Sequence, residues 1–219
     1  MNIKLENIIP ETHSPQTSDQ HSTISGSFFE DWIDHLSDML KNMQVSYNGK
    51  EINHYDEAYN ILISMTMDIK AQNKQIFFIG NGASSTMASH IATDLSKNGE
   101  LACRTFTDAA LLTAMANDNG VSSMFADPLA RHAKEGDLLV AISSSGASPN
   151  IICAVEMAKL LGVTVVGFSA MSETNPLRQK SDLSFYINTD SYGFAETAHS
   201  ALLHHWVDLI VEEDVSLLS

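Results

Sequence analysis

The hydrophobic residues of this chain follow two different spacings. In the first third they recur every three or four positions, as on one side of an amphipathic helix. This spacing predicts a helix over residues 28–43 and a second from Tyr55 to Gln72. Asn48 and Gly49, a pair typical of turns, lie between the two. Both predicted helices have a wide apolar face, which must pack on a sheet or on another subunit.

From residue 75 onward the hydrophobic residues form short continuous runs separated by helical stretches. Such runs are typical of strands buried on both faces, and their alternation with helices is typical of a parallel sheet. We therefore predict an α/β fold with a five-stranded parallel sheet flanked by helices, ending in a helix from Ala195 to Glu213. The predicted strands are residues 75–79, 102–107, 137–142, 163–168 and 183–187.

Residues 1–27 differ in composition from the rest. Between Pro10 and Gly26 they are rich in Ser, Thr, Gln, Pro and His and show no hydrophobic periodicity. This composition predicts a flexible arm over 1–27, followed by a single domain over 28–219. The start of the chain lacks the pattern of a secretion signal, and no run of about 18 apolar residues predicts a membrane span.

The charge and the cysteines narrow the function further. The chain has 27 acidic and 12 basic residues, a formal charge of −15. Such a surface repels nucleic-acid backbones, so we expect no direct nucleic-acid binding. Cys103 and Cys153 are too few for a disulfide framework. We interpret them as reduced residues of a cytoplasmic protein without membrane attachment.

Two loops that follow predicted strands have the composition of anion sites. The first is Gly80-Asn81-Gly82-Ala83-Ser84-Ser85, just before a helix whose free backbone N–H groups favour an anion. It also resembles a dinucleotide-binding loop with Ser85 in place of the third glycine, and it also fits an ordinary turn with a serine cap.

The second loop is Ser143-Ser144-Ser145-Gly146-Ala147-Ser148-Pro149-Asn150. Four hydroxyls and a glycine precede a helix that has Pro149 in its first turn. Hydroxyls and backbone amides bind a phosphate without needing a lysine. A helix cap needs only one serine, so the four serines of this loop exceed what a cap requires. The loop therefore predicts a phosphate site.

His90 and Asp94, four residues apart, share one face of the helix after the first loop. A histidine and a carboxylate at this spacing can ligate a metal or transfer a proton, but the spacing is also that of a surface pair. The residues alone favour the surface pair.

The two loops together resemble a known family. GNGASS is similar to the G-N-G-G/T-S loop of SIS (sugar isomerase) domains, and SSSGASPN to their phosphate loop, commonly S-T/S-S-G-N-S. Residues 116–118, Ala-Asn-Asp, resemble the G/A-N-D segment between those loops, and the order agrees from about Ile76 to Leu209. Within the family the chain is most similar to phosphoheptose isomerases and to their non-catalytic relative, the DnaA initiator-associating protein.

The resemblance implies a flavodoxin-like three-layer sandwich and a homotetramer, with the N-terminal helices in the interface and sites between subunits. It implies a divalent metal such as Zn²⁺, a phosphorylated sugar as substrate, and His90, Asp94 and His199 as metal ligands. Asp94 and His199 are then also the expected catalytic residues. The expected substrate-binding residues are Asn81, Gly82, Ser84, Asn117, Asp118, Ser143, Ser144, Ser145, Ser148 and Glu196.

The last predicted helix departs from the family pattern, which is roughly A-D-R-I-Q with a catalytic histidine eight residues after the glutamine. Matching Ala195-Glu196 to its start places His199 at the glutamine and Val207 at the histidine. We therefore expect His199 to serve in the site. His204 and His205 do not share its face well, and we interpret them as interface or solvated residues.

Three functions compete. The resemblance favours an isomerase that converts sedoheptulose 7-phosphate to D-glycero-D-manno-heptose 7-phosphate through an enediol, and Asp94 supports it. A non-catalytic phosphosugar-binding regulator is the alternative, favoured by Val207. The serine loop argues against the third, a dinucleotide-binding enzyme.

Overall fold

The structure, a computed structural model, describes residues 28–217. The predicted arm, residues 1–27, lies outside the described residues, as do residues 218 and 219. The helices are α1 (Phe28–Lys41), α2 (Tyr55–Ala71), α3 (Ala83–Asn98), α4 (Ala109–Asn119), α5 (Ala126–His132), α6 (Pro149–Leu160), α7 (Pro176–Lys180) and α8 (Tyr192–Leu217). The strands are β1 (Gln44–Tyr47), β2 (Lys50–Ile52), β3 (Gln75–Gly80), β4 (Ala102–Thr105), β5 (Leu138–Ser143), β6 (Thr164–Ala170) and β7 (Leu183–Ile187).

The five predicted strands form the parallel part of one sheet, in the order β7-β6-β5-β3-β4. The chain leaves β3 for β4 on one side and then returns to β5 on the other. Ligands of such sheets bind where the order reverses, beyond the carboxyl ends of the strands. The loops after β3 and β5, both singled out in the sequence, therefore lie side by side at this point.

Within residues 28–217 the sheet has seven strands, where the sequence predicts five. The Asn48-Gly49 turn joins β1 and β2 into a hairpin, and β1 pairs antiparallel with β7. Asn48 (φ 50°) and Gly49 (φ 74°) both adopt the left-handed conformation of a tight hairpin turn, which asparagine and glycine tolerate best. The guanidinium of Arg178 donates to Gln44 of β1 at 2.7 Å and lies 4.4 Å from the centre of the Tyr186 ring, which fixes the hairpin to the sheet.

Helices cover both faces of the sheet, so the predicted α/β three-layer architecture is confirmed. Ile76 and Phe78 of β3 pack into one core, which α2, α3 and α8 cover. Phe77 and Ile79 pack into a second core, beneath α5 and α6. This alternation is that of a strand with both faces buried. No helix in residues 28–217 combines the length and the apolar character needed to cross a membrane.

Candidate active site

The loop after β3 turns directly into α3. Gly82 precedes the helix, and the backbone N–H of Ser84 donates to the carbonyl oxygen of Asn81 at 3.0 Å. Ser84 is buried, whereas Asn81 and Gly82 are exposed. The loop thus presents its backbone at the N-terminus of a helix of four turns, where the dipole attracts an anion.

The loop after β5 packs its first two serines inward. Ser143 and Ser144 are buried, and Ser145 and Ser148 are half-buried. The hydroxyl oxygen of Ser145 accepts from the backbone N–H of Ala147 at 3.3 Å, and α6 then begins at Pro149. Hydroxyls and a helix N-terminus therefore lie together at the carboxyl edge of the sheet.

Asn175 packs against Gly146 of this second loop and supports it, a role that the sequence did not indicate. Its side chain donates to the carbonyl oxygen of Ser172 at 2.8 Å and accepts from the backbone N–H of Arg178, also at 2.8 Å. Gly146 (φ 60°) lies against it so closely that a Cβ atom there would be 2.0 Å from the Asn175 Oδ1. Glycine is thus required at position 146 by both its backbone angle and its neighbour.

Asn150 joins the two loops. Its side-chain amide exchanges two hydrogen bonds with the amide of Asn81, at 3.0 and 2.8 Å. Its Oδ1 also accepts from the backbone N–H of Ile151 at 3.1 Å. Asn150 is the last residue of the SSSGASPN motif, so its place in that motif was the available signal for this role.

A cleft of about 720 Å³ runs between α3 and α8, beside the first loop. Both helices begin at the carboxyl edge of the sheet, because each follows a parallel strand. The cleft therefore opens toward the edge where the loops lie. Its walls are formed by Ala83, Thr86, Met87 and His90 of α3 and by Glu196, Thr197, Ser200, Ala201 and His204 of α8.

Three side chains at this cleft form a cluster suited to a metal ion. The Nε2 atom of His90 lies 3.3 Å from the Oδ2 atom of Asp94, and the rings of His90 and His204 are 5.1 Å apart. One ligand atom from each of the three lies within 4.8 Å of the others. Two imidazoles and a carboxylate suit zinc or a similar divalent ion and leave a coordination position open.

A model of the SIS domain matches residues 50–170, more than half of the chain. The chain belongs to the SIS domain family. Over 147 residues it is 34% identical to a phosphoheptose isomerase of Thermodesulfovibrio yellowstonii, and these residues make up 64% of this chain and 72% of the relative. It is 28% identical to that of Campylobacter concisus over 77% of this chain and 93% of the relative.

A solved structure supports the SIS fold independently. The structure of a phosphoheptose isomerase from Francisella tularensis matches with a TM-score of 0.72 and 23% identity, over 84% of this chain and 95% of that one. At this identity the match establishes the fold. The curated relatives place the chain in the phosphoheptose isomerase subgroup of SIS proteins.

His199 lies in the core and does not line the cleft, although the match to the SIS pattern placed it in the site. It is completely buried, and its Nε2 atom lies 3.1 Å from the carbonyl oxygen of Ser169. A carbonyl only accepts, so Nε2 carries the hydrogen and Nδ1 has no partner among the described residues. Burial lowers the pKa of His199 to about 4. His199 therefore stays neutral in the core, outside the cluster of His90, Asp94 and His204, and the prediction that it ligates the metal needs correction.

The structure corrects the register of α8 against the SIS pattern by three residues. Glu196 and His204 line the cleft and lie eight residues apart, the same separation as the glutamine and histidine of that pattern. Val207, the position first matched to the histidine, is buried in the core. The eight-residue interval counted from Glu196 was the signal in the sequence that identifies His204.

Not every expected binding residue reaches the cleft. Asn117 and Asp118 are exposed at the end of α4, where the Asn117 side chain donates to Asp118 at 2.8 Å. The serines after β5 lie at the carboxyl edge and are not part of the cleft walls. Of the expected binding residues in the described chain, Glu196 forms part of the wall.

Proposed function

We propose that this SIS protein interconverts sedoheptulose 7-phosphate and D-glycero-D-manno-heptose 7-phosphate through an enediol. The observation that carries the proposal is the cluster of His90, Asp94 and His204, two of which line a cleft beside the glycine- and serine-rich carboxyl edge of the sheet. The relatives that bear the name phosphoheptose isomerase support this substrate.

The two loops bind the phosphate in this proposal. Backbone N–H groups at the starts of α3 and α6 supply positive dipole ends, and the hydroxyls of residues 143–145 and 148 supply donors. Neutral donors suit this chain because it has only 12 basic residues against 27 acidic ones, and hydroxyl and amide donors bind a phosphate without a lysine. Asn117 and Asp118 remain predicted contacts of the sugar from the end of α4.

The isomerisation moves a proton between adjacent carbons and places charge on an oxygen. His90, Asp94 and His204 would hold a divalent ion, with Zn²⁺ as the best match to their chemistry. When bound, such an ion polarises the carbonyl and hydroxyl oxygens of the sugar. Asp94 keeps His90 in position, and the apolar wall that Met87 and Ala201 form limits the water around the sugar.

A non-catalytic phosphosugar-binding role was favoured by Val207 in place of a histidine. Since Val207 lies in the core and His204 lines the cleft, this observation no longer supports that role. Binding of sedoheptulose 7-phosphate without turnover would be its signature.

The test is to incubate the protein, purified without an affinity tag, with sedoheptulose 7-phosphate, with and without added zinc. Loss of the ketose is followed together with calorimetric binding. We expect turnover, and we expect Ser145→Ala to weaken binding about tenfold at nearly constant kcat, because one phosphate ligand is lost. Ser64→Ala, at an exposed position on α2, is the matched control. Binding without turnover in both metal conditions would contradict the isomerase.

We further propose a cytoplasmic homotetramer with sites between subunits and α1 in the interface. Phe28, Phe29 and Ile33 of α1 are 59%, 71% and 44% exposed, an apolar surface that a second subunit would cover. Phe29→Asp should lower the mass measured by sedimentation, whereas Leu160→Asp, at an exposed apolar position on α6, should not. The division into an arm (1–27) and one domain (28–219) predicts that limited proteolysis removes the arm first.

A further inference from the structure

Phe194, in the first turn of α8, packs against α1. Its ring stacks on the ring of Trp32, with the ring centres 5.3 Å apart and 19° between the planes. The ring of His35 meets Phe194 edge-on, with the ring centres 4.9 Å apart. Trp32 and His35 are three residues apart and therefore share one face of α1. Two rings of α1 thus hold Phe194 in place.

The other residues on this side of the turn make few contacts. Tyr192 is 61% exposed and takes part in no aromatic ring contact within residues 28–217. Gly193 is exposed as well, and the one described atom within 4 Å of a Cβ added there would be the Ser191 Oγ, at 3.9 Å. Ala195 is buried and fixes the turn to the core. The first N–H groups of a helix have no partner within it, so the position of this turn depends on such side-chain contacts.

The wall of the cleft begins directly after Phe194. Glu196 and Thr197 line the cleft two and three residues further along α8. The hydroxyl of Thr197 also donates to the carbonyl oxygen of Gly193 at 2.8 Å, which ties this part of the wall to the first turn. A shift of the turn would therefore move the wall.

We propose that Trp32 is a positioning residue of the sugar site. Through Phe194 it fixes the first turn of α8, and through that turn it fixes the α8 wall of the cleft. This inference rests on the proposed isomerase function. It gives Trp32 no contact with the sugar and no part in the chemistry.

Trp32 also lies beside the surface that we assign to the subunit interface. The ring of Phe29 stacks on it, with the ring centres 6.3 Å apart and 3° between the planes, and Phe29 is 71% exposed. Phe29, Trp32 and Phe194 thus form one stack from the outer face of α1 to the edge of the cleft. Loss of Trp32 and loss of assembly must therefore be separated in any test.

The experiment compares wild type with Trp32→Ala, Trp32→Phe and Phe194→Ala. For each we measure kcat and KM with sedoheptulose 7-phosphate, the calorimetric affinities for this sugar and for inorganic phosphate, and the mass by sedimentation. Both alanine variants should lower kcat and raise KM about tenfold, because a displaced wall misplaces the sugar. The affinity for inorganic phosphate should change less than about twofold, because the loops after β3 and β5 bind it in our proposal. Trp32→Phe keeps a ring that can stack and should recover most of the loss.

Tyr192→Ala is the matched control. It removes an aromatic ring from the same turn of α8, but this ring is exposed and has no stacking partner in residues 28–217. Its kcat, KM and both affinities should equal those of wild type. An equal loss in Tyr192→Ala and Phe194→Ala would show that the stack on Trp32 has no special role.

Three further outcomes would overturn the assignment. The first is wild-type kcat and KM in Trp32→Ala. The second is an equal loss of affinity for the sugar phosphate and for inorganic phosphate, which would indicate general loosening of the fold. The third is a loss of activity confined to variants of reduced mass, which would make assembly the cause.

Failure of the proposed function is distinguishable from failure of this inference. If wild type binds sedoheptulose 7-phosphate without turnover, the isomerase proposal fails by itself. The two calorimetric affinities of Trp32→Ala then still decide whether Trp32 positions the wall. If wild type binds neither ligand, both proposals fail.

Discussion

Asn81 and Asn150 face each other across the carboxyl edge of the sheet and exchange two side-chain hydrogen bonds, of 3.0 and 2.8 Å. Asn81 follows β3, and Asn150 lies in the first turn of α6, after β5. The pair therefore fixes the distance between the two loops that we assign to the phosphate. Asn150 is buried, so this link is partly shielded from water.

Replacing Asn81 with alanine should loosen both loops. The variant leaves the buried amide of Asn150 without its main partner, and we expect the free energy of unfolding to fall by about 1–2 kcal/mol. Affinity for the sugar phosphate should fall as well. Urea denaturation and calorimetry measure the two effects, and a double-mutant cycle with Asn150→Ala isolates the coupling. Asn98→Ala, an exposed position on α3, is the control; equal losses in both variants would argue against the link.

Replacing Gly146 with alanine should disrupt the second loop. The added Cβ would lie 2.0 Å from Asn175 Oδ1, and the φ of 60° adds backbone strain. We expect a loss of about 2–4 kcal/mol in unfolding free energy. Gly49→Ala is a matched control, because the φ of Gly49 is 74° but no atom of the described residues lies within 4 Å of a Cβ added there. It should lose about 1 kcal/mol from backbone strain alone. Chemical denaturation of both variants separates the overlap from the strain.

The proposed metal site of His90, Asp94 and His204 predicts different effects for two adjacent histidines. His204→Ala should lower zinc affinity more than about 100-fold, beyond the effect of losing a supporting residue. His205→Ala should retain the metal, because His205 instead packs edge-on against the Tyr59 ring at 4.7 Å. Elemental analysis after dialysis measures the bound metal. Stoichiometric zinc in His204→Ala would show that the cluster is not the site.

Burial of His199 predicts a loss of stability in mild acid. Well above pH 6.5 the side chain is neutral in both the folded and the unfolded chain, so it contributes no pH dependence there. Between pH 6.5 and about 4 the unfolded chain binds a proton that the folded chain does not, since burial lowers the folded pKa to about 4. The free energy of unfolding should therefore fall by about 3 kcal/mol, through this residue alone, as the pH is lowered over this range.

Denaturation of wild type and His199→Leu between pH 4 and pH 7.5 tests this prediction. The variant should show a smaller fall, because its core holds no group to be protonated. His205→Gln, at an exposed position on the same helix, is the control. Parallel pH profiles in wild type and His199→Leu would contradict the prediction.

The parallel sheet was predictable because its strands are continuous apolar runs such as Gln75–Gly80 and Leu183–Ile187. The hairpin was not, because β1 and β2 are four and three residues long and largely polar. Their pairing depends on an edge of the sheet that only the folded chain provides. The Asn48-Gly49 turn and the alternation of polar and apolar residues over Gln44–Tyr47 were visible in the sequence. Lys50 and Glu51 are both polar, however, so the residues after the turn lack the alternation that would have predicted a second strand.

The proposed metal site of His90, Asp94 and His204 was predictable in part. His90 and Asp94 follow from helix spacing and the SIS resemblance, whereas the third member depends on which face of α8 packs on the sheet. Ala195, His199, Leu202 and Trp206 share one buried stripe at helical spacing, and this stripe places His199 in the core. The buried stripe, and not the likeness at the start of the helix, determines where His199 lies.

The hairpin also changes which strand forms the border of the sheet. All five residues of β7 are buried, and without β1 its free backbone N–H and C=O groups would invite the strands of other molecules. With the hairpin in place, the border at this side is β2, which has three residues and exposes Lys50 and Glu51. A short, charged border is a poor template for intermolecular strand addition. The extra strands therefore protect the protein from aggregation, a benefit independent of anything that happens at the cleft.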